Sequence, residues 1–191
     1  MLNTFEGKNS ILVSDVRAER LFREAEDDFF YFNKIEDATD KLQRALKYAP
    51  SMIKALLMRA NIALIEGDVE LALAFYHQAE CFAPENAKVL AGLANIYEIL
   101  DENDEAYEYI QKALFNLSSN DCQLKKALVD LEFTILIKQK KYSMAQKILD
   151  DAKFLFEEED YKVFQANNIS VLKQKLEVQK RLKQTKLRLV K

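Results

Sequence analysis

Residues 51–84 read SMIKALLMRANIALIEGDVELALAFYHQAECFAP, and this stretch decides the fold. Shifted by 34 places it falls on residues 85–118, ENAKVLAGLANIYEILDENDEAYEYIQKALFNLS, and in the other direction on residues 17–50. Alanines recur at Ala38, Ala72 and Ala106, then seven residues later at Ala45, Ala79 and Ala113. Five residues further on the units end at Pro50, Pro84 and Ser118. A fixed period of this size, with small residues at paired helical positions, specifies stacked helix hairpins. Neighbouring helices approach closely only where their side chains are small.

Inside each unit the apolar spacing is helical. Leu90, Leu93, Ala94, Tyr97 and Leu100 mark one face, and Ala106, Tyr109, Ile110, Ala113 and Leu114 mark a second after the polar break at Asp101–Asp104. Two such helices joined by a short turn form an antiparallel hairpin. Helices of about 13 residues are marginal alone in water, so each hairpin must bury its second face on the next. Composition agrees. Three glycines and two prolines in 191 residues leave little turn material for a β-rich fold. No apolar run approaches the roughly 18 residues that suggest a membrane span. Residues 1–8 lack a basic start followed by an apolar core, which points to the cytoplasm.

The pattern resembles the tetratricopeptide repeat family. There, a bulky residue, a small one four later and an aromatic or apolar one three beyond mark the first helix. Ala, a bulky residue and a second Ala mark the second helix, and Pro ends the unit. The second repeat supplies Leu56, Ala60, Ala63, Gly67, Ala72, Tyr76, Ala79 and Pro84. The third supplies Leu90, Ala94, Tyr97, Ala106, Ile110 and Ala113, with Ser118 in the place of Pro. The first supplies Phe22, Phe29, Ala38, Leu42, Ala45 and Pro50, but places Glu26 where a small residue belongs, as suits an end repeat. Ala145, Leu149 and Ala152 recover the second-helix signature 39 residues after Ala106, so a fourth unit is irregular and its first helix, from about Gln123 to Lys140, is lengthened. That segment is apolar on more than one face, which predicts burial. The resemblance therefore implies an all-α, α-α superhelix of three regular hairpins, one irregular hairpin and a C-terminal capping helix. The expected organisation is a flexible segment over 1–14, the array over 15–156, and a basic capping and extension helix over 157–191.

Catalysis finds little support. The sole histidine, His77, cannot form a His pair, and no Ser–His–Asp signature is readable. Gly7, Gly67 and Gly92 are too scattered for a phosphate-cradling loop. The run from Asp101 to Glu105 lacks the alternation, central glycine and closing glutamate of a calcium loop and reads as a solvated turn. Glu157–Asp160 reads as a boundary or as N-terminal charge for the next helix. Cys81 and Cys122 form no CxxC and read as small apolar packing residues. No metal or cofactor is expected.

Binding can be argued further. If hairpins stack as the resemblance implies, first helices line an inner face and residues 34 apart form rows. The rows are Arg20, Lys54, Lys88; Asp27, Asn61, Asn95; Arg23, Leu57, Ala91; and Phe30, Leu64, Glu98. Cations beside amides that both donate and accept suit an extended peptide bearing carboxylates. Lys and Asn could equally be soluble choices on exposed helix positions. The groove candidates are Arg20, Arg23, Lys54, Leu57, Asn61, Leu64, Lys88 and Asn95. Chaperone-binding members clamp a terminal carboxylate with Lys, Asn, Asn, Lys and Arg. The matching positions here are Arg23, Asp27, Met58, Lys88 and Gly92, which argues against a heat-shock co-chaperone.

The net charge of −3 hides a division. Residues 161–191 carry nine Lys or Arg against Glu177 alone, or +8, leaving 19 basic and 30 acidic residues, or −11, before them. Candidate contacts of the tail with an anionic partner are Lys180, Arg181, Lys183, Lys186 and Arg188. RNA, an anionic membrane surface and an acidic body, its own or a second copy's, remain open as that partner, as does plain solvation. The aromatic interleaving of a single-strand-binding platform is missing. The expected function is a non-catalytic protein–protein interaction scaffold or adaptor. The alternatives are a secretion-type or assembly chaperone, and nucleic-acid binding through the basic helix.

Overall fold

The computed structural model describes the backbone of residues 3–189 and the side chains of residues 14–154 and 156–182. Nine helices and no strand occur among the described residues. They are α1 (Asn3–Phe30), α2 (Ile35–Tyr48), α3 (Ile53–Ile65), α4 (Val69–Phe82), α5 (Ala87–Ile99), α6 (Asn103–Phe115), α7 (Cys122–Lys138), α8 (Tyr142–Leu155) and α9 (Glu158–Leu189). The backbone is already helical from Asn3, across most of the segment expected to be flexible over 1–14. No proline and one glycine lie there to interrupt it.

The period returns in the turns. Asn33, Gly67 and Asp101, each 34 residues apart, hold φ of 51°, 82° and 60°, the left-handed geometry that lets one residue end a helix and reverse the chain. Lys140 repeats it at φ 61°, 39 residues after Asp101, in step with the alanine displacement. Gly67 meets nothing within 4 Å of a would-be Cβ, so its glycine serves the backbone angle alone. Asp68 Oδ1 then accepts from Leu71 N (2.9 Å), capping α4, and Asn86 Oδ1 accepts from Lys88 N (3.0 Å) at the start of α5.

The chain divides into two compact units, Met1–Ile96 and Tyr97–Lys191, a division that falls inside α5. In the first, α1 packs on α2 and α3 on α4. Ala38, Ala45, Ala60, Ala63, Ala72 and Ala79 are fully buried, as the small-residue seam requires. Phe22, Leu42, Met58 and Ile62 fill the space between them. Asp28, buried on α1, pairs with Lys41 of α2.

In the second unit Ala106, Ala113, Ala145 and Ala152 are likewise fully buried. Helix α7 has 17 residues, against 13 in α3 and in α5, so the irregular unit is longer in its first helix. Leu128, Val129, Phe133, Ile135 and Leu136 of α7 are buried, and α6, α8 and α9 all pack on it. Phe164 and Leu172 of α9 complete this core, with Phe164 set edge-on to Phe133 and Phe156. Asn168 fills the turn between them, buried, and donates to Asp130 Oδ1 (2.9 Å). After Leu176 no residue of the described part of α9 is buried, and the basic end begins.

Candidate interaction site

The site lies on the first helices of the first unit. Spacing of three and four residues puts Lys54, Leu57, Asn61 and Leu64 on one stripe of α3, and Lys88, Gly92 and Asn95 on one stripe of α5. Lys54, Asn61, Lys88 and Asn95 are exposed, and Leu57 and Leu64 are half-buried. Ala55, Leu56, Ile62 and Ala63 turn inward instead. On α1 the equivalent stripe, Arg20, Arg23, Asp27 and Phe30, is exposed throughout.

Tyr76 of α4 joins α3 to α5. A Cβ built on Gly92 would lie 1.9 Å from its ring, so the phenol occupies the space that any other residue at 92 would need. Its hydroxyl, 2.7 Å from Asn61 Oδ1, donates to that oxygen. The ring is only 5% exposed, and burial raises the phenol above its ordinary range. Asn61 therefore spends its acceptor on the protein and keeps its two N–H donors for a ligand. Asn61 and Gly92 meet around this ring. Sequence reading placed Tyr76 only as a second-helix packing residue. Gly92, read as a lost clamp donor, is the space into which Tyr76 fits.

At the α1 end Lys54 Nζ lies 2.5 Å from Glu19 Oε1 and 4.6 Å from the centre of the Phe22 ring. Arg23 reaches the same carboxylate at 3.6 Å. Two predicted cations thus converge on an acid that the 34-residue rows do not contain. The Lys54 hydrogen bond holds the Glu19 carboxyl below its ordinary value. The basic ladder is accordingly partly neutralised there. Arg20 pairs with Glu24 at 3.6 Å and, with Val16, Glu19 and Arg23, lines an open cleft of about 510 Å3. Among the described residues no ion pair forms at Lys88.

Other expectations fare variously. Cys81 and Cys122 are exposed, not packed: Cys122 opens α7, and Cys81 lies near the end of α4 on its outer side. His77 is half-buried with Nδ1 3.0 Å from Glu80 Oε2. The acidic turn is structural, since Asn103 donates to Asp101 Oδ1 (2.9 Å) and Lys138 pairs with Glu98 (2.7 Å) and Asp101 (3.5 Å). Met58, a clamp position, is buried. Lys180 and Arg181 are exposed, Arg181 within 3.2 Å of Glu177, while Lys183, Lys186 and Arg188 lie outside the described side chains. Among the described residues no helix is long and apolar enough to cross a membrane, and no three His, Cys, Asp or Glu side chains gather as metal ligands do.

No family model matches the chain. Over 86 residues, 45% of its length, it is 29% identical to the BBSome complex member BBS4 of Bos taurus, spanning 16% of that protein. PilF of Pseudomonas aeruginosa superposes with a TM-score of 0.66 at 17% identity over 85% of this chain and 74% of that one. A tetratricopeptide repeat protein of Parabacteroides merdae gives 0.68 at 18% identity, over 83% and 60%. The first such domain of Spaghetti (RPAP3), solved bound to the HSP90 peptide SRMEEVD, gives 0.58 at 14% identity, over 66% and 95%. With the alanine seams buried and the turns in register, the chain has the all-α helix-hairpin fold of the tetratricopeptide repeat proteins.

Proposed function

We propose that this chain is a non-catalytic interaction scaffold that holds an extended, acidic segment of a partner protein against α3 and α5. The observation that carries this reading is the Tyr76–Asn61 hydrogen bond beside Gly92. It leaves Asn61 a donor, flanked by the cations Lys54 and Lys88 and by the half-buried Leu57 and Leu64. Donors at this spacing suit the carbonyls and carboxylates of an extended chain, with the leucines as apolar anchors. The RPAP3 domain was solved bound to the peptide SRMEEVD, which supports an acidic segment as ligand, although the positions that would clamp a terminal carboxylate are replaced here by Asp27, Met58 and Gly92. An internal acidic segment therefore fits better than a free C-terminus.

The test is a titration with acidic peptides selected from a display library on the intact chain. Lys54→Glu with Lys88→Glu is expected to weaken binding at least about tenfold, roughly 1.4 kcal/mol, with helicity retained by circular dichroism. Unchanged affinity would remove the groove from the account.

A further inference from the structure

A second cleft, independent of that stripe, lies wholly within the Tyr97–Lys191 unit. It encloses about 340 Å3 between the end of α6, the 116–121 loop, α7 and α8. Leu114, Leu117, Val129 and Ile148 supply apolar walls, Ser118 and Ser119 line it from the loop, and the half-buried Lys125 and the exposed Asp151 complete it. Glu132 lies inside, only 6% exposed.

Glu132 is costly where it is. Gln111 Nε2 donates to its Oε1 (2.8 Å), and the Tyr107 hydroxyl of α6 also donates to the carboxylate. Both donors are neutral, so they satisfy lone pairs without cancelling the charge. A carboxylate offers about four acceptor sites, of which these two bonds use two. Among the described residues no Lys, Arg or His pairs with it. The other charged groups lining the cleft are Lys125 from the same helix and Asp151 from α8, of opposite sign. Burial accordingly raises the carboxyl above its ordinary value. A buried acid without a paired cation, lining a cleft with four apolar side chains, is a site that a cation from outside would complete.

We propose that this cleft receives a lysine side chain of a partner protein, its ammonium on Glu132 and its four-carbon stem against Leu114, Leu117, Val129 and Ile148. Lysine suits it because its charge is a point at the tip of an apolar stem, which matches a cleft that sets four apolar side chains beside a buried carboxylate. This site would select the opposite charge from the α3–α5 stripe, so one chain would bridge acidic and basic partner segments.

The test uses the intact chain with labelled methyl groups and Nα-acetyl-lysine N-methylamide as probe. Saturable shifts at Leu117, Val129 and Ile148 are expected, and none with the Nε-acetylated probe. Glu132→Gln is expected to weaken the response at least about tenfold. Leu117→Trp, which fills the entrance without touching the acid, is expected to abolish it, and decides the matter if the glutamine variant fails to fold. Equal binding of the acetylated probe, full binding by either folded variant, or a preference for free 1,5-diaminopentane over the peptide-linked lysine would each overturn the proposal.

Discussion

The Met1–Ile96 and Tyr97–Lys191 units use the same hairpin and pair their buried acids differently: Asp28 of the first meets the cation Lys41, whereas Glu132 of the second has only the neutral donors Gln111 and Tyr107. In the first, alanines close the helix contacts and the buried hydroxyl of Tyr76 finds Asn61 at the surface. Its hydrogen bond is aimed outward and sets a surface residue as a donor. In the second, Glu132 and Asn168 are drawn into the core, where Gln111 and Asp130 partner them. The Tyr76 bond thus leaves the Asn61 donors available at the surface of the repeat. The irregular unit, whose α7 is four residues longer than α3 or α5, instead sets a buried acid without a cation in a cleft.

The largest effect expected from breaking this contrast is at Gly92. Alanine in place of a helix-interior glycine ordinarily gains up to about 1 kcal/mol. Here the new methyl would drive into the Tyr76 ring, and overpacking costs about 1–3 kcal/mol, with about 1 more if the Asn61 hydrogen bond is lost. Gly92→Ala should therefore lower stability by about 2 kcal/mol in denaturant unfolding, and weaken acidic-peptide binding in the same variant. A gain in stability would mean that the ring yields freely and that Asn61 is not held.

Next come the turns, where the two units should respond with opposite signs. Gly67→Ala forces a Cβ onto φ 82° and should cost about 1 kcal/mol, although the position is open. Lys140→Gly, at φ 61°, should gain up to about 1 kcal/mol by releasing the same strain. Thermal midpoints of the two variants moving in the same direction would contradict the equivalence of these turns.

The smallest effect on stability, and a direct one on binding, is expected at Glu19. Its pairs with Lys54 and Arg23 are more than a third exposed and screened, so Glu19→Gln should change stability by less than about 1 kcal/mol. It should nonetheless raise acidic-peptide affinity severalfold by freeing Lys54. The pH dependence follows in sign. The Glu19 carboxyl titrates below its ordinary value, so the pairing is present above the ordinary carboxylate range and is lost as pH falls through the lowered one. The advantage of the variant should shrink over that acidic interval, and an advantage that grew there would assign the effect elsewhere.

What the chain showed in advance, and what it hid, divides along physical lines. The alanine period was legible because every hairpin repeats one local steric demand, and Ala38, Ala72 and Ala106 are all fully buried. The rows holding Lys54, Asn61, Lys88 and Asn95 were read from the 34-residue step and the stacking that the resemblance implies, and each of the four is exposed. Glu19 was hidden because it lies off the repeat rows and pairs across helices with Lys54, 35 positions away. The Tyr76–Gly92 fit and the Glu132–Gln111 bond were hidden for the same reason: each depends on two helices meeting, and neither partner is unusual on its own helix. The left-handed turn residues could have been found, since Asn33, Gly67 and Asp101 share the 34-residue step and are types that tolerate positive φ. Burial of the cysteines was inferred from residue type, and position at the helix surface overrode it.

The most direct measurement of the central claim is a nitrogen-15 NMR titration of the intact chain with a selected acidic peptide. The side-chain amides of Asn61 and Asn95 and the backbone amide of Lys88 should shift together and saturate at one dissociation constant. Saturable shifts confined to other faces, with those three signals unmoved, would contradict it.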